Sequence, residues 1–216
     1  MQPTSLGWGA TALPGATWPP ARSATQAGPI GGALKRAFDI GAASLGLFLL
    51  SPMLLMTALL IKLSMGGPVV LAQPRVGLNG KMFRRYRFRL IDDAEAGLHL
   101  STSAPDAPVT MLCQILRRTR IAELPQLINV LQGDMSCVGP RPVSPAELEP
   151  YGAHAADYLK ARPGLTGLCQ VSGPESLGAA NPATLAGAYV RNWSLLLDLA
   201  ILGRTFAAAF KGNPTA

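Results

Sequence analysis

From Ile40 to Ile61 the chain runs 22 residues without a charge, IGAASLGLFLLSPMLLMTALLI. As a helix this stretch would measure about 33 Å at 1.5 Å per residue, enough to cover the hydrocarbon core of a bilayer. No other feature narrows the possible folds so far, because such an element belongs in lipid. Its flanks add a second constraint. Lys35 and Arg36 precede it and Lys62 follows it, so by the positive-inside rule both ends prefer the cytoplasm. Ser51-Pro52, in the middle of the stretch, reconciles the two demands. Proline removes one helical hydrogen bond and clashes with the preceding turn, and a serine hydroxyl can satisfy the freed carbonyl. The sequence therefore predicts a re-entrant helix-break-helix over residues 34–63, with its membrane break at Ser51 and Pro52. The alternative is an ordinary single pass with a proline kink.

Residues 1–33 hold Gly, Ala, Pro, Ser and Thr with one charge, Arg22. They lack hydrophobic periodicity and cannot bury enough apolar surface to offset ordering entropy, which predicts a disordered leader. The leader also lacks the basic start and short apolar core of a secretory signal. The remainder, 64–212, is long enough for one domain. The net charge is +7, and ten basic residues face four acids between Lys62 and Arg120. Such a field attracts phosphates. Nucleic acid is not the expected partner, since the chain has no zinc-finger spacing, RNP-like aromatic motif or heptads after a basic run. Cys113, Cys137 and Cys169 are odd in number and lack a CxxC spacing, and His99 and His154 lie far apart. Neither a disulfide framework nor a zinc site is suggested, and a reducing compartment fits best.

Between Pro68 and Arg89 two short strands flank Gly77-Leu78-Asn79-Gly80, where Asn-Gly favours the positive φ of a tight hairpin turn. Residues 92–108 read as a helix start and a loop, 110–120 as a short helix bearing Arg117 and Arg118. In RTRIAELPQLINVLQGDMSCVGPRP, residues 118–142, the apolar Leu124, Leu127, Ile128 and Leu131 recur at i, i+3, i+4 and i+7. That spacing predicts one apolar face of a helix of about three turns, with Pro125 in its first turn and Gly133 at its end. Glu123 would then stand at the positive end of a helix dipole, where a phosphate is also welcome. Pro140 and Pro142 brace Arg141 in the loop that follows, ready to grip a phosphate. Taken singly, Glu123 also reads as a surface acid and Arg141 as a solvated loop cation. Residues 146–161 read as a helix, RPGLTGLCQVSG as a turn and a short strand, and 183–211 as a long helical region that either lies in the membrane surface or closes the core.

These segments together resemble the monotopic phosphoglycosyl transferases, the short form of the bacterial sugar transferase family. The likeness is carried by KRAFDI, the mid-segment Ser-Pro, PRVGLNGKMF, RFR, ELPQLINVLQGDMSCVGPRP, RPGLTGLCQVSG and YVRNWSLLLDL, in order from about Lys35 to Lys211. The resemblance implies a small mixed α/β domain with a re-entrant membrane helix-break-helix and amphipathic surface helices, on the cytoplasmic face of the bacterial inner membrane. It implies transfer of a sugar 1-phosphate from a UDP-sugar to polyprenyl (undecaprenyl) phosphate, the first membrane step of exopolysaccharide or glycan synthesis. Family members use an Asp-Glu dyad with Mg²⁺: the Asp forms an acyl phosphate that the lipid phosphate resolves, which is nucleophilic catalysis. Position by position, Glu123 matches the catalytic, metal-binding member of the dyad, and Arg117 and Arg141 match phosphate-contacting arginines. Gln126, Asp134 and Pro140 match motif positions at the substrate site. Partners implied are the UDP-sugar, polyprenyl phosphate and inner-membrane lipids, and a homodimer is allowed.

The chain departs from the pattern at one chemically decisive place. Ala122 occupies the slot of the nucleophilic Asp, and a methyl group forms no acyl phosphate. Pro108, Met111, Cys113, Gln114 and the run Phe88-Arg89-Leu90-Ile91 also differ from the family's usual residues. Three readings stay open: a transferase whose Ala122 is engineered, erroneous or compensated by Asp92, Asp93 or Asp134; an inactive paralogue that binds nucleotide sugar or polyprenyl phosphate and regulates or scaffolds assembly; or a non-enzymatic membrane-anchored adaptor.

Overall fold

The computed structural model describes residues 28–90, 107–171 and 181–211. Most of the expected leader, the segment 92–106 with Asp92 and Asp93, and the end of RPGLTGLCQVSG lie outside the described residues. The apolar stretch forms one helix, α1 (Gly32–Met65). At 34 residues it would be about 51 Å long. The expected interruption at Ser51-Pro52 is not present as a break in helical structure. Pro52 lacks the N–H that would serve the Phe48 carbonyl, and Ser51 Oγ donates to that same carbonyl at 2.8 Å. The serine thus does what its position suggested, and the helix continues through the proline.

Both ends of α1 rest on the same folded body. Near its start Ala43 is fully buried, in a core cluster with Leu127, Val130 and Ile201. Near its end Ile61 is fully buried with Phe88, Leu90 and Leu116. Between these anchors one side of the helix is bare among the described residues, with Phe48 77% exposed and Leu55 71% exposed. Further bare apolar side chains sit on α2 (Ala107–Arg118) at Met111 and Ile115, on α3 (Gln126–Gln132) at Ile128 and Leu131, and on the last helix at Leu196, Leu199 and Phe206.

The hairpin is as expected: β1 (Val70–Val76) and β2 (Met82–Phe88) pair antiparallel, Gln73 opposite Arg85. Its turn holds Asn79 at φ 54°, a conformation in which asparagine is among the least strained residues. A second, two-stranded sheet pairs β3 (Ser136–Val138) with β4 (Gly164–Thr166) in parallel. Here the GPRP and RPGLTG segments run side by side, so close that a Cβ on Gly139 would collide with the Arg162 carbonyl and one on Gly164 with Gly139 itself. Only glycine allows that approach. The chain is thus a mixed helix and small-sheet domain.

Three local expectations are corrected. Residues 145–158 do not form one helix: short turns α4 (Pro145–Leu148) and α5 (Ala155–Tyr158) flank a 3₁₀ segment bent at Gly152, φ 52°. After α6 (Leu168–Val171), the last region is two helices, α7 (Pro182–Arg191) and α8 (Leu195–Lys211). The third correction concerns α3. It spans seven residues rather than three turns, and Glu123 closes a separate 3₁₀ turn, Ile121–Glu123, before it. Its inward face carries Gln126, Leu127, Asn129 and Val130, while Ile128 and Leu131 face out. Asn129 wins its interior place because it has partners there.

Candidate active site

Asn129 shows how the site is assembled. Fully buried, it donates from Nδ2 to the Arg84 carbonyl at 2.7 Å and accepts at Oδ1 from the Tyr86 N–H at 2.9 Å. One side-chain amide therefore completes the free edge of β2 on both sides of residue 85, as a neighbouring strand would. This clamps Arg85 relative to α3 and to the turn just before it, where Glu123 sits half-buried.

Period two along the hairpin puts Gln73 and Arg75 of β1 on one face with Arg85 and Arg87 of β2. Gln73 Oε1 accepts from Arg85 Nη2 at 2.8 Å and from Arg75 Nη2 at 3.4 Å. Two guanidinium groups thus converge on a single neutral oxygen. Burial, then the field of Arg75, pushes the Arg85 guanidinium down to about 10; Arg87 and Arg141 act the same way, and Glu123 opposes them. Glu123 consequently lies within the electrostatic field of at least one of four clustered arginines. Glu147, whose carboxylate accepts from the Ser144 N–H in a capping box, is held below its ordinary value, burial being outweighed by those hydrogen bonds and by Arg75 and Arg141. Cations exceed anions here, and burial makes like charges repel more than in water.

Arg141 is exposed between buried Pro140 and Pro142, as the sequence suggested, and the Pro140 carbonyl accepts from the Gly164 N–H at 2.8 Å. Arg117 is exposed in the last turn of α2. Gln126 is 1% exposed, and its Nε2 has no hydrogen-bond partner among the described residues. Asp134 is brought elsewhere. It lies beyond the far end of α3, about 10 Å of helix from Glu123, and its partner is Lys81 at 3.9 Å. Ala122 is 5% exposed in the apolar cluster with Ile61, Phe88, Cys113 and Leu116.

Sequence reasoning does not single out Arg75, Arg85 and Arg87 as site residues, although all three lie in the basic stretch between Lys62 and Arg120. A usable signal existed: in β1 the alternation Leu71, Gln73, Arg75 places two polar residues on the face marked as inward by a leucine.

Glu123 also lines a cavity of about 310 Å³ between α1, α3, α6 and α8. Its walls are mainly apolar, including Leu50, Leu127, Leu202 and Phe206, and its rim carries Arg118, Thr119 and Arg120.

A second charged group holds this frame together. Lys35 Nζ meets Asp198 Oδ2 at 2.6 Å, and Trp193 Nε1 donates to the same oxygen at 3.1 Å. Tyr189 Oη lies 2.8 Å from Asp198 Oδ1 and 3.0 Å from the Val138 carbonyl. Asp39 Oδ1 accepts from Ser136 Oγ and the Cys137 N–H, both at 3.0 Å. These contacts give the KRAFDI and YVRNWSLLLDL segments their physical meaning: they tie α1 and α8 to the strand that leads into Arg141. Burial, and next to it Asp39, pushes the Cys137 thiol up to about 12, which leaves it an inert core residue.

A family model described as bacterial sugar transferase matches residues 30–212. The chain belongs to the bacterial sugar transferase family. Among curated relatives it is 41% identical over 196 residues to the exopolysaccharide production protein ExoY of Rhizobium meliloti, covering 83% of this chain and 87% of that one. It is 42% identical to a UDP-glucose:undecaprenyl-phosphate glucose-1-phosphate transferase of Caulobacter vibrioides, covering 79% and 67%. An undecaprenyl-phosphate galactose phosphotransferase of Salmonella typhimurium is 40% identical, with 80% of this chain and 40% of that longer protein aligned. Every segment used to build the site lies inside the family match.

Proposed function

We propose that this chain transfers a sugar 1-phosphate from a UDP-sugar to undecaprenyl phosphate, at the start of exopolysaccharide assembly on the cytoplasmic face of a bacterial inner membrane. The observation that carries this reading is the double setting of Glu123: the arginine cluster whose field it shares suits a diphosphate, the apolar cavity it lines suits a lipid. The Caulobacter and Salmonella relatives carry such acceptor chemistry in their names. Arg75, Arg85, Arg87 and Arg141 would bind and orient the diphosphate and offset the charge that develops as the α–β phosphoanhydride bond breaks and UMP leaves. Both ends of α1 packing on one body support insertion from one side of the membrane only.

No group of three or more His, Cys, Asp or Glu side chains that could hold a metal occurs among the described residues. A lone carboxylate beside a diphosphate still fits Mg²⁺, which binds through one or two carboxylates, substrate phosphates and waters. Glu123 would hold it, and the ion would supply charge neutralisation at the transferring phosphoryl group.

Ala122 favours a second reading, a chain that binds both substrates without turnover, because its methyl packs among apolar side chains and offers no nucleophile. UDP-glucose or UDP-galactose labelled in the β-phosphate, incubated with undecaprenyl phosphate and Mg²⁺, separates the two. Lipid-soluble label with equimolar UMP is the expected result, lowered about 10²–10³-fold by Glu123→Gln. Tight UDP-sugar binding with no product, and turnover gained by Ala122→Asp, supports the second reading. Absence of binding to either substrate overturns both.

A further inference from the structure

We propose that the ring of Tyr151 is the platform on which the uracil base of the UDP-sugar lies; this rests on the transferase reading above. Arginines grip the phosphates of any nucleotide, so selection for the base has to come from another group. In an in-line displacement the leaving group departs opposite to the attacking one. An attack from the side of Ala122 and Glu123 therefore sends the departing UMP, with its base, away from those two residues. Tyr151 meets that condition. Burial, then the fields of Cys169 and Glu147, pushes its hydroxyl up and Arg141 opposes them; Glu123 is not among the charges that bear on it. The ring thus neighbours the Arg141 part of the cluster, which is where the nucleotide half of the substrate would leave.

The ring is also held in place. Its centroid lies 5.9 Å from that of the Tyr158 ring, with the planes at 84°, an edge-to-face pair. Tyr158 is buried, and its Oη donates to the Val76 carbonyl at 2.7 Å and accepts from the Val143 N–H at 3.4 Å. Val76 follows Arg75, Val143 stands two residues after Arg141, and the Val76 N–H donates to the Val143 carbonyl at 2.9 Å. Tyr158 therefore sets the Tyr151 ring relative to two of the four arginines. Whichever ring presents its edge, Tyr158 leaves at least one face of Tyr151 uncovered. Tyr151 is half-buried, packed on the cluster of Val76, Val143, Leu148 and Tyr158 without being enclosed by it. A rigid aromatic face beside a phosphate site is what a base stacks on.

The test is calorimetric titration of the full chain in nanodiscs, with Mg²⁺, using UDP-glucose, UDP, UMP and inorganic pyrophosphate. Tyr151→Leu keeps an apolar side chain on the cluster and removes the ring. It should weaken UDP-glucose, UDP and UMP alike by about 10–100-fold, the worth of one base stacked on an aromatic ring, and leave the pyrophosphate Kd within twofold. That preserved affinity shows that the variant is folded. Tyr151→Phe should keep all four ligands within threefold. On the native chain, where folding is not in question, photolysis of bound 5-azido-UDP-glucose should label the peptide that holds Tyr151. Label confined to other peptides would overturn the proposal. A loss confined to UDP-glucose would put the transferred sugar on Tyr151 and overturn it too. So would UDP affinity unchanged without the ring, or pyrophosphate affinity falling in step with UDP; the transferase reading stands in each of these cases. If the native chain binds neither UDP-glucose nor UDP, the transferase reading falls and takes this proposal with it.

Discussion

The two charged clusters of this protein differ in how their charges are balanced. Around Asp198 each carboxylate oxygen has named donors: Lys35 and Trp193 on one, Tyr189 on the other. Around Arg85 the partner is a neutral oxygen, Gln73 Oε1, which also accepts from Arg75, and four guanidinium groups share one region with Glu123. The first arrangement is complete within the chain, so it is a strut. The second leaves positive charge in excess at a half-buried place, which costs stability unless an anion arrives. Charge excess, more than charge itself, distinguishes a site that awaits a ligand from one that holds a fold together.

Breaking the strut should have the largest effect. Asp198→Ala leaves Lys35 buried without its partner and should cost about 3–5 kcal/mol in denaturant unfolding. Replacing the pair by apolar residues, Lys35→Met with Asp198→Leu, should recover much of that loss. If the single change is silent, the cluster is not a strut. A smaller effect is expected within α1. Ser51→Ala strips the Phe48 carbonyl of its donor and should cost about 1 kcal/mol, read from thermal unfolding in nanodiscs. The smallest effect is chemical. At pH 8 the Cys137 thiol, pushed up to about 12 by burial and by Asp39, should stay unalkylated by iodoacetamide until the chain unfolds, so rapid native-state labelling would show that the strut opens.

How far these features were legible in sequence follows the range of the forces. The hairpin with its Asn79 turn, the helix ending at Arg118 and the Ser51 hydroxyl bond are local, and their residues announce them. Arg141 between two prolines was readable for the same reason. The rotated inward face of α3 was not, because Ile128 and Leu131 continue the apolar spacing of Leu124 and Leu127 yet face out. What shifts it is Asn129 reaching a strand edge more than forty residues away. Nor could spacing show that Lys35 meets Asp198 across 163 residues, or that Arg85 of the basic hairpin lies in the field of Glu123. Pairings of this kind depend on the fold. The resemblance to a family supplied the role expected of Glu123 ahead of any geometry, and the same comparison exposed Ala122.

The claim on which the account turns is that the excess cations receive a nucleotide diphosphate. Calorimetric titration of UDP-glucose or UDP-galactose with Mg²⁺ into the full chain and into Arg85→Ala tests it most directly. We expect affinity to fall about 10–100-fold, the worth of one charge-assisted hydrogen bond, while unfolding stability holds steady or rises as repulsion with Arg75 is relieved. Equal affinity in the two proteins, or affinity that falls only in step with lost folding, would contradict it.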